Sequence, residues 1–185
     1  MKSTAGNLQA CISLVIVYLL CLRVATVPIC NVVSLVELFE KEMQDVFHEY
    51  KVVNGEKRLL HSKFPQLHFN FTPEVQRNRS AICGINYVAY ALKEILKYQE
   101  VLNYDKKQLI GNLSFASHRA KDHVKPVLQH VFKYHENCII YPEFPTQKDT
   151  YKLKQWGSAA LNHSLQFLNQ LVTYLKPNCT TMSTT

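Results

Sequence analysis

The chain has 185 residues, 47% of them hydrophobic and 19% charged, with a formal net charge of +7, five glycines and six cysteines. A basic excess this small suits acidic proteins or proteoglycans without requiring either, and with no recognition motif beside it nucleic acid is excluded as an expected partner. Only one long apolar run occurs, near the N-terminus, so the expected product is soluble and not inserted in a membrane.

That run is Ile12 to Leu22, preceded by Lys2 and followed by the small-residue stretch Val24-Ala25-Thr26. An apolar core of about 11 residues is too short to span a bilayer and has the size of a secretory signal. Residues 1–26 are therefore expected to be removed on secretion, leaving 27–185 as one extracellular domain with a short Thr/Ser-rich tail from about 180. Lys2 and Arg23 leave with the signal, so the net charge falls from +7 to about +5. Cys11 and Cys21 leave too, and Cys30, Cys83, Cys138 and Cys179 remain. An even number in a secreted chain, with no Cys-x-x-Cys spacing, reads as two disulfides and not as a zinc site. Asn70, Asn78, Asn112, Asn162 and Asn178 each head an Asn-x-Ser/Thr sequon and are expected glycosylation sites.

Val32, Val36, Phe39, Met43, Val46 and Tyr50 step by threes and fours with polar residues opposite, so the spacing predicts a helix from about Val32 to Lys51. Asn54-Gly55 stops it, because glycine accepts the left-handed backbone at a helix end. From there to about Asn78 no steady period survives Pro65 and Pro73, which reads as a long connection. The second helix, about Ser80 to Leu102, buries Ile85, Val88, Ala89, Leu92, Ile95, Leu96 and Leu102, and Tyr87, Tyr90 and Tyr98 widen its apolar surface. Asn103-Tyr104-Asp105 is a short turn. The third, about Gln108 to His135, carries Leu113, Ala116, Ala120, Val124, Val127, Val131 and Tyr134. Pro126 interrupts it and predicts a kink or, alternatively, two shorter helices. The next connection, Glu136 to Lys148, is too apolar for a free loop and too proline-rich for a helix. The fourth helix, Asp149 to Leu175, sets Ala160, Leu161, Leu165, Leu168, Leu171, Val172 and Leu175 on one stripe. Its first turns instead mix rings with cations in Tyr151, Lys152, Lys154, Gln155 and Trp156, which looks like an end built for contact.

Four amphipathic helices without a strand pattern predict an all-α, long-chain four-helix bundle. Two long connections around one short one imply the up-up-down-down arrangement, and about 13 extended residues reach roughly 43 Å, enough to run back along a helix of roughly 37 Å. All four cysteines would then gather at one pole, with Cys30–Cys138 and Cys83–Cys179 as the expected bridges. A plain up-down-up-down bundle would put Cys83 and Cys138 at the far pole from Cys30 and Cys179, and so would favour the other pairing. Catalysis finds little support. A bundle metal site would need paired Glu-x-x-His motifs, and the chain offers only Asp45-Val46-Phe47-His48. His118, His123, His130 and His135 never fall at i and i+4, and no nucleophile elbow, phosphate loop or zincin motif occurs. No enzyme activity, metal or cofactor is expected.

Tyr151-Lys-Leu-Lys154-Gln-Trp156-Gly157 resembles the start of the fourth helix in the leukaemia inhibitory factor and ciliary neurotrophic factor group of interleukin-6-type cytokines, to which oncostatin M also belongs. There a Phe-x-x-Lys pair, in some members followed by x-Trp-Gly, contacts the leukaemia inhibitory factor receptor; Lys154 matches the lysine and Tyr151 stands where the family has phenylalanine. Val46-Phe47-x-x-Tyr50 running into Asn54-Gly55-Glu56 is similar to the end of the family's first helix, and Ala120 to His135 resembles its third. The family's link between the N-terminal segment and the end of the third helix agrees with Cys30–Cys138, whereas Cys179 has no clear counterpart. The resemblance implies a monomeric secreted cytokine that assembles a leukaemia inhibitory factor receptor-type chain with the shared signalling receptor of the family. Janus kinase and STAT signalling in growth, differentiation or immunity would follow.

Tyr151, Lys154 and Trp156 are then the expected receptor contact, and Glu37, Lys41, Gln44 and His48 with Gln129, His130 and Lys133 form a second contact face by position. The competing readings are that Tyr151 covers the bundle's end, that Trp156 belongs to the core, and that the charged face is only solvated. Other helical cytokines, either a class II ligand or the helical subunit of a heterodimer, are the nearest alternative. A secreted bundle that carries a hydrophobic ligand is the alternative from another class.

Overall fold

The computed structural model describes residues 29–55, 73–135, 138 and 149–180; the expected signal segment, Asn70, most of the connections and the tail from 181 lie outside the described residues. The described chain is all-helical, with no strand, and packs as four rods around one hydrophobic core. The first rod is α1, Ile29–Asn54, and the second is α2, Glu74–Leu102. The third is composite: α3, Lys107–His118, passes through a π-helical stretch, Arg119–Val124, into α4, Lys125–Phe132. The fourth is α5, Thr150–Thr180. No described helix is long and apolar enough to cross a membrane.

Each rod ends where its sequence forces it to. Gly55 takes φ 76° and donates its N–H to the carbonyl of Lys51 at 2.7 Å, closing α1 one residue after Asn54. Pro126 shapes the third rod, since its ring lacks an N–H for the carbonyl four residues earlier and crowds it. The helix widens just upstream into the π stretch, which takes up one extra residue. The buried stripe changes phase as a result. It runs Leu113, Ala116, Ala120, Val124 and then Leu128 and Phe132, one residue later than the Val127 and Val131 of the unbroken period. Lys133, at φ 48°, turns the chain out of α4.

Side-chain contacts fix how the rods pair. Lys176 Nζ meets Glu37 Oε1 at 2.8 Å, Asn169 Nδ2 donates to Glu40 Oε1 at 3.3 Å, and Tyr50 donates to the carbonyl of Lys154 at 3.0 Å. Partners on α5 count down as those on α1 count up, so these two helices run in opposite senses. Between α1 and the third rod, Arg119 lies 2.9 Å from Glu42, and Asn112 Nδ2 donates to Glu49 Oε2 at 2.7 Å. Between α2 and α5, the bare face of Gly84 meets the ring of Phe167, and the Arg77 guanidinium sits 5.3 Å from the ring of Tyr174.

The bridges correct the expected pairing. They join Cys30 to Cys179 and Cys83 to Cys138, with Cα atoms 4.8 and 5.2 Å apart, in place of Cys30–Cys138 and Cys83–Cys179. Helix adjacency explains the outcome. Cys30 opens α1 and Cys179 closes α5, the helix packed most extensively on α1, whereas the rod leading to Cys138 leans through α4 mainly on α2, where Cys83 lies. Both bridges nevertheless sit towards one end, because Tyr174 is met by Arg77 of α2 and is stacked at 6.4 Å on Phe132 of α4.

Two titrating groups give the fold opposite pH dependences. Half-buried His163 on α5 has its pKa lowered from 6.5 by burial, so below that value the unfolded chain takes up the proton first. Its contribution to stability is expected to fall as pH drops through 6.5 and to level once the folded form is protonated as well. Burial raises the pKa of Glu42 from 4.5, against the attraction of Arg119, so its contribution rises as pH falls towards 4.5 and is complete below it. Urea midpoints on either side of pH 6.5 should separate in the wild type and converge in His163→Gln; equal separation in both would remove His163 as the cause.

Candidate functional site

The start of α5 is built on Asp149. Its carboxylate accepts the N–H groups of Tyr151 at 2.9 Å and Lys152 at 3.3 Å, and its own carbonyl accepts that of Leu153 at 3.0 Å. An Asp immediately before a periodic run is a capping signal legible in sequence, and such a cap is worth about 1 kcal/mol. The capped turn presents Tyr151, 53% exposed, and half-buried Lys154 one turn apart. Trp156 behaves otherwise. It is 3% exposed and belongs to the core cluster, so the core reading of this residue holds and its expected place in a contact surface is corrected.

Beneath this turn lies a polar cluster that the apolar periodicity does not reveal. The hydroxyls of Tyr50 on α1 and Tyr98 on α2 meet at 2.7 Å, and Tyr50 reaches on to the Lys154 carbonyl. Gly157 lies against both hydroxyls, leaving no room for a Cβ. Burial raises the pKa of both phenols, so they remain neutral hydrogen-bonding groups. Below them Asn54 Nδ2 donates to the Tyr50 carbonyl at 3.1 Å and to Gln99 at 3.3 Å, and Asn103 Nδ2 donates to Asn54 Oδ1 at 3.0 Å. The ends of α1 and α2 are thus tied to each other and to the first turns of α5. The same pole exposes two further apolar side chains, Val101 at 77% and Tyr104 at 71%.

The second expected face divides between two different neighbours. Glu37 is paired with Lys176 of α5, and Gln44 lines an open groove with Glu40 and with Leu165, Gln166, Asn169 and Gln170 of α5. Lys41 and His48 are exposed on α1; Gln129 is half-buried and His130 and Lys133 are exposed around α4. The third rod is bordered instead by Glu49, bonded to Asn112, and by Glu42, Asp45 and Val46, which line a groove with Asn112, Phe115 and Ala116. Arg119 spans this groove towards Glu42 without hydrogen-bond alignment and lies 4.8 Å from the Phe115 ring. Helical phase accounts for the split, since Glu37 and Gln44 are seven apart and share the side of α1 that faces α5.

Among the sequons, Asn78, Asn112 and Asn162 are half-buried on helices, and Asn112 is already bonded to Glu49. No group of three or more potential metal ligands occurs among the described residues. Comparisons of the chain with protein-family profiles, with curated proteins and with solved structures find no match. What fold and site define is a disulfide-bridged all-helical bundle with a capped, partly exposed Tyr-x-x-Lys turn at one pole.

Proposed function

We propose that the protein is a secreted, glycosylated helical cytokine, folded up-up-down-down, that acts by holding two receptor chains side by side at the cell surface. The topology is supported by contacts that set the end of α1 beside the end of α2, and by pairings in which α3 runs back along α1 and α5 along α1 and α2. The observation that carries the functional reading is the exposed ring of Tyr151 one turn from Lys154, on a turn capped by Asp149 and pinned by Tyr50. Rings and cations held rigidly on a helix are what protein interfaces use as anchors, and the same pole exposes Val101 and Tyr104. A leukaemia inhibitory factor receptor-type ectodomain is the proposed partner for this pole. The shared signalling receptor would lie across α1 and the third rod, where Asp45 and exposed Phe115 flank one groove. No bond is made or broken in such a mechanism. Two faces of one rigid body bring receptor tails together, and the kinases attached to them, of the Janus type, activate STAT proteins.

The test is binding of the mature glycosylated protein to the two soluble ectodomains, with Tyr151→Ala and Lys154→Ala alongside. Each variant is expected to lose about 2 kcal/mol, roughly 30-fold in affinity, while keeping its helical spectrum. Wild type that ignores both ectodomains would remove this receptor assignment.

A further inference from the structure

We propose that Tyr98 and Tyr50 form a hydrogen-bonded relay onto the carbonyl of Lys154 that sets the position of the Tyr-x-x-Lys turn, making both tyrosines positioning residues although neither offers its hydroxyl to the surface. The idea rests on the receptor-contact reading of that turn for its consequence, but not for its geometry.

Proton bookkeeping gives the relay a direction. A phenol has one proton to donate, and the Tyr50 hydroxyl lies 2.7 Å from Tyr98 and 3.0 Å from the Lys154 carbonyl. The carbonyl can only accept. Tyr50 therefore donates to Lys154, and Tyr98 donates to Tyr50. A helical carbonyl keeps a second lone pair beyond the one used along the helix, so the contact adds a bond without breaking one. Three helices are joined at a single oxygen in this way.

The surrounding packing makes the relay specific for one setting of α5. Gly157 is one turn on from Lys154, and its bare backbone lies against the hydroxyls of both tyrosines. Turning α5 by one residue would bring the Cβ of Trp156 or Ser158 to the place that only glycine fits. The base is equally constrained, because Asn54 holds the Tyr50 carbonyl and joins Gln99 and Asn103 at the end of α2. Burial leaves no water to substitute for a lost partner, so a missing hydroxyl leaves the relay broken. The Asp149 cap acts on the same turn from the outer end, through the Tyr151 and Lys152 N–H groups.

The experiment is amide hydrogen exchange across the whole protein in wild type, Tyr50→Phe, Tyr98→Phe, the double variant and Tyr87→Phe. Tyr87 is the control, a buried phenol whose hydroxyl has no partner among the described residues. Tyr50→Phe is expected to speed exchange over 151–158 about five- to tenfold, the size of one lost hydrogen bond, while α2 and the third rod change less. Tyr98→Phe should have a smaller effect of the same pattern. The double variant should be no worse than Tyr50→Phe alone, since the relay ends at Tyr50. An unchanged 151–158 segment, or a uniform rise over all helices as in a general loss of stability, overturns the relay. Receptor binding is then read on the same proteins: a loss of about tenfold in Tyr50→Phe that shrinks when Lys154→Ala is already present supports positioning, and wild-type affinity in Tyr50→Phe overturns it. Should wild type bind neither ectodomain, the receptor reading falls while the exchange data still decide the relay.

Discussion

Gly157→Ala is expected to destabilise the protein by about 2 kcal/mol, although intrinsic propensity alone favours alanine over glycine in a helix by about 1 kcal/mol. The sign is decided by space. A Cβ at Gly157 overlaps the Tyr98 and Tyr50 hydroxyls and lies 2.9 Å from Tyr50 Cζ, and both rings are locked in the core. Relieving the overlap means moving α5 away from α1 and α2 or turning two buried phenols out of their mutual bond, and overpacking of this kind costs roughly 3 kcal/mol against the propensity gain. Gly111 supplies the opposite case. It lies on exposed α3 surface with nothing within 4 Å of a built Cβ, so Gly111→Ala is expected to stabilise by about 1 kcal/mol. Urea midpoints of the two variants should therefore move in opposite directions. A Gly157→Ala protein as stable as Gly111→Ala would mean that the Tyr50–Tyr98 cluster is not packed as described.

That contrast marks what periodicity could and could not reveal. The four rods were legible because each buries one stripe at helical spacing, and Val32, Val36, Phe39, Met43, Val46 and Tyr50 are all buried as spaced. The end of α1 at Gly55 and the disturbance near Pro126 were legible too, since each rests on one residue's backbone chemistry. The phase after the proline was not: a π turn absorbs a residue, and only the packed structure shows that Leu128 and Phe132 replace Val127 and Val131. Cysteine pairing failed for a related reason. Sequence spacing tells which helix ends share a pole but not which rods are neighbours there, and adjacency of α1 with α5 decides the bridge. At the candidate site Tyr151 and Lys154 were visible as an oddly polar, aromatic start to an apolar helix. Tyr50, Tyr98, Asn54 and Gln99 were not, because a phenol or amide on a buried stripe reads as apolar filling until its partner from another rod is known.

Removing the two bridges should produce losses among the largest of any small change to this protein, and of different size. Replacing Cys30 and Cys179 together by serine opens a link spanning a sequence separation of 149, and replacing Cys83 and Cys138 opens one of 55. In the chain-entropy model these are worth about 5 and about 4 kcal/mol, against a total stability of roughly 5–15 kcal/mol for a domain. Nothing nearby can take over from the longer bridge. The adjacent Glu37–Lys176 pair is exposed to solvent, where such pairs contribute little to stability. The Tyr50–Lys154 contact holds α1 to α5 only at the opposite end. Opening Cys30–Cys179 is therefore expected to fray the ends of α1 and α5 first, with hydrogen exchange rising near Glu37 and Lys176 before it rises near Tyr50. Peptide mapping of the oxidised protein comes before the stability series, since recovery of a Cys30–Cys138 peptide would overturn the pairing on which it rests. With the bridges as described, the Cys30/Cys179 variant should have the lower urea midpoint. A lower midpoint for the Cys83/Cys138 variant would show that packing of Cys138 against α2, and not closure of the chain, dominates what that bridge contributes.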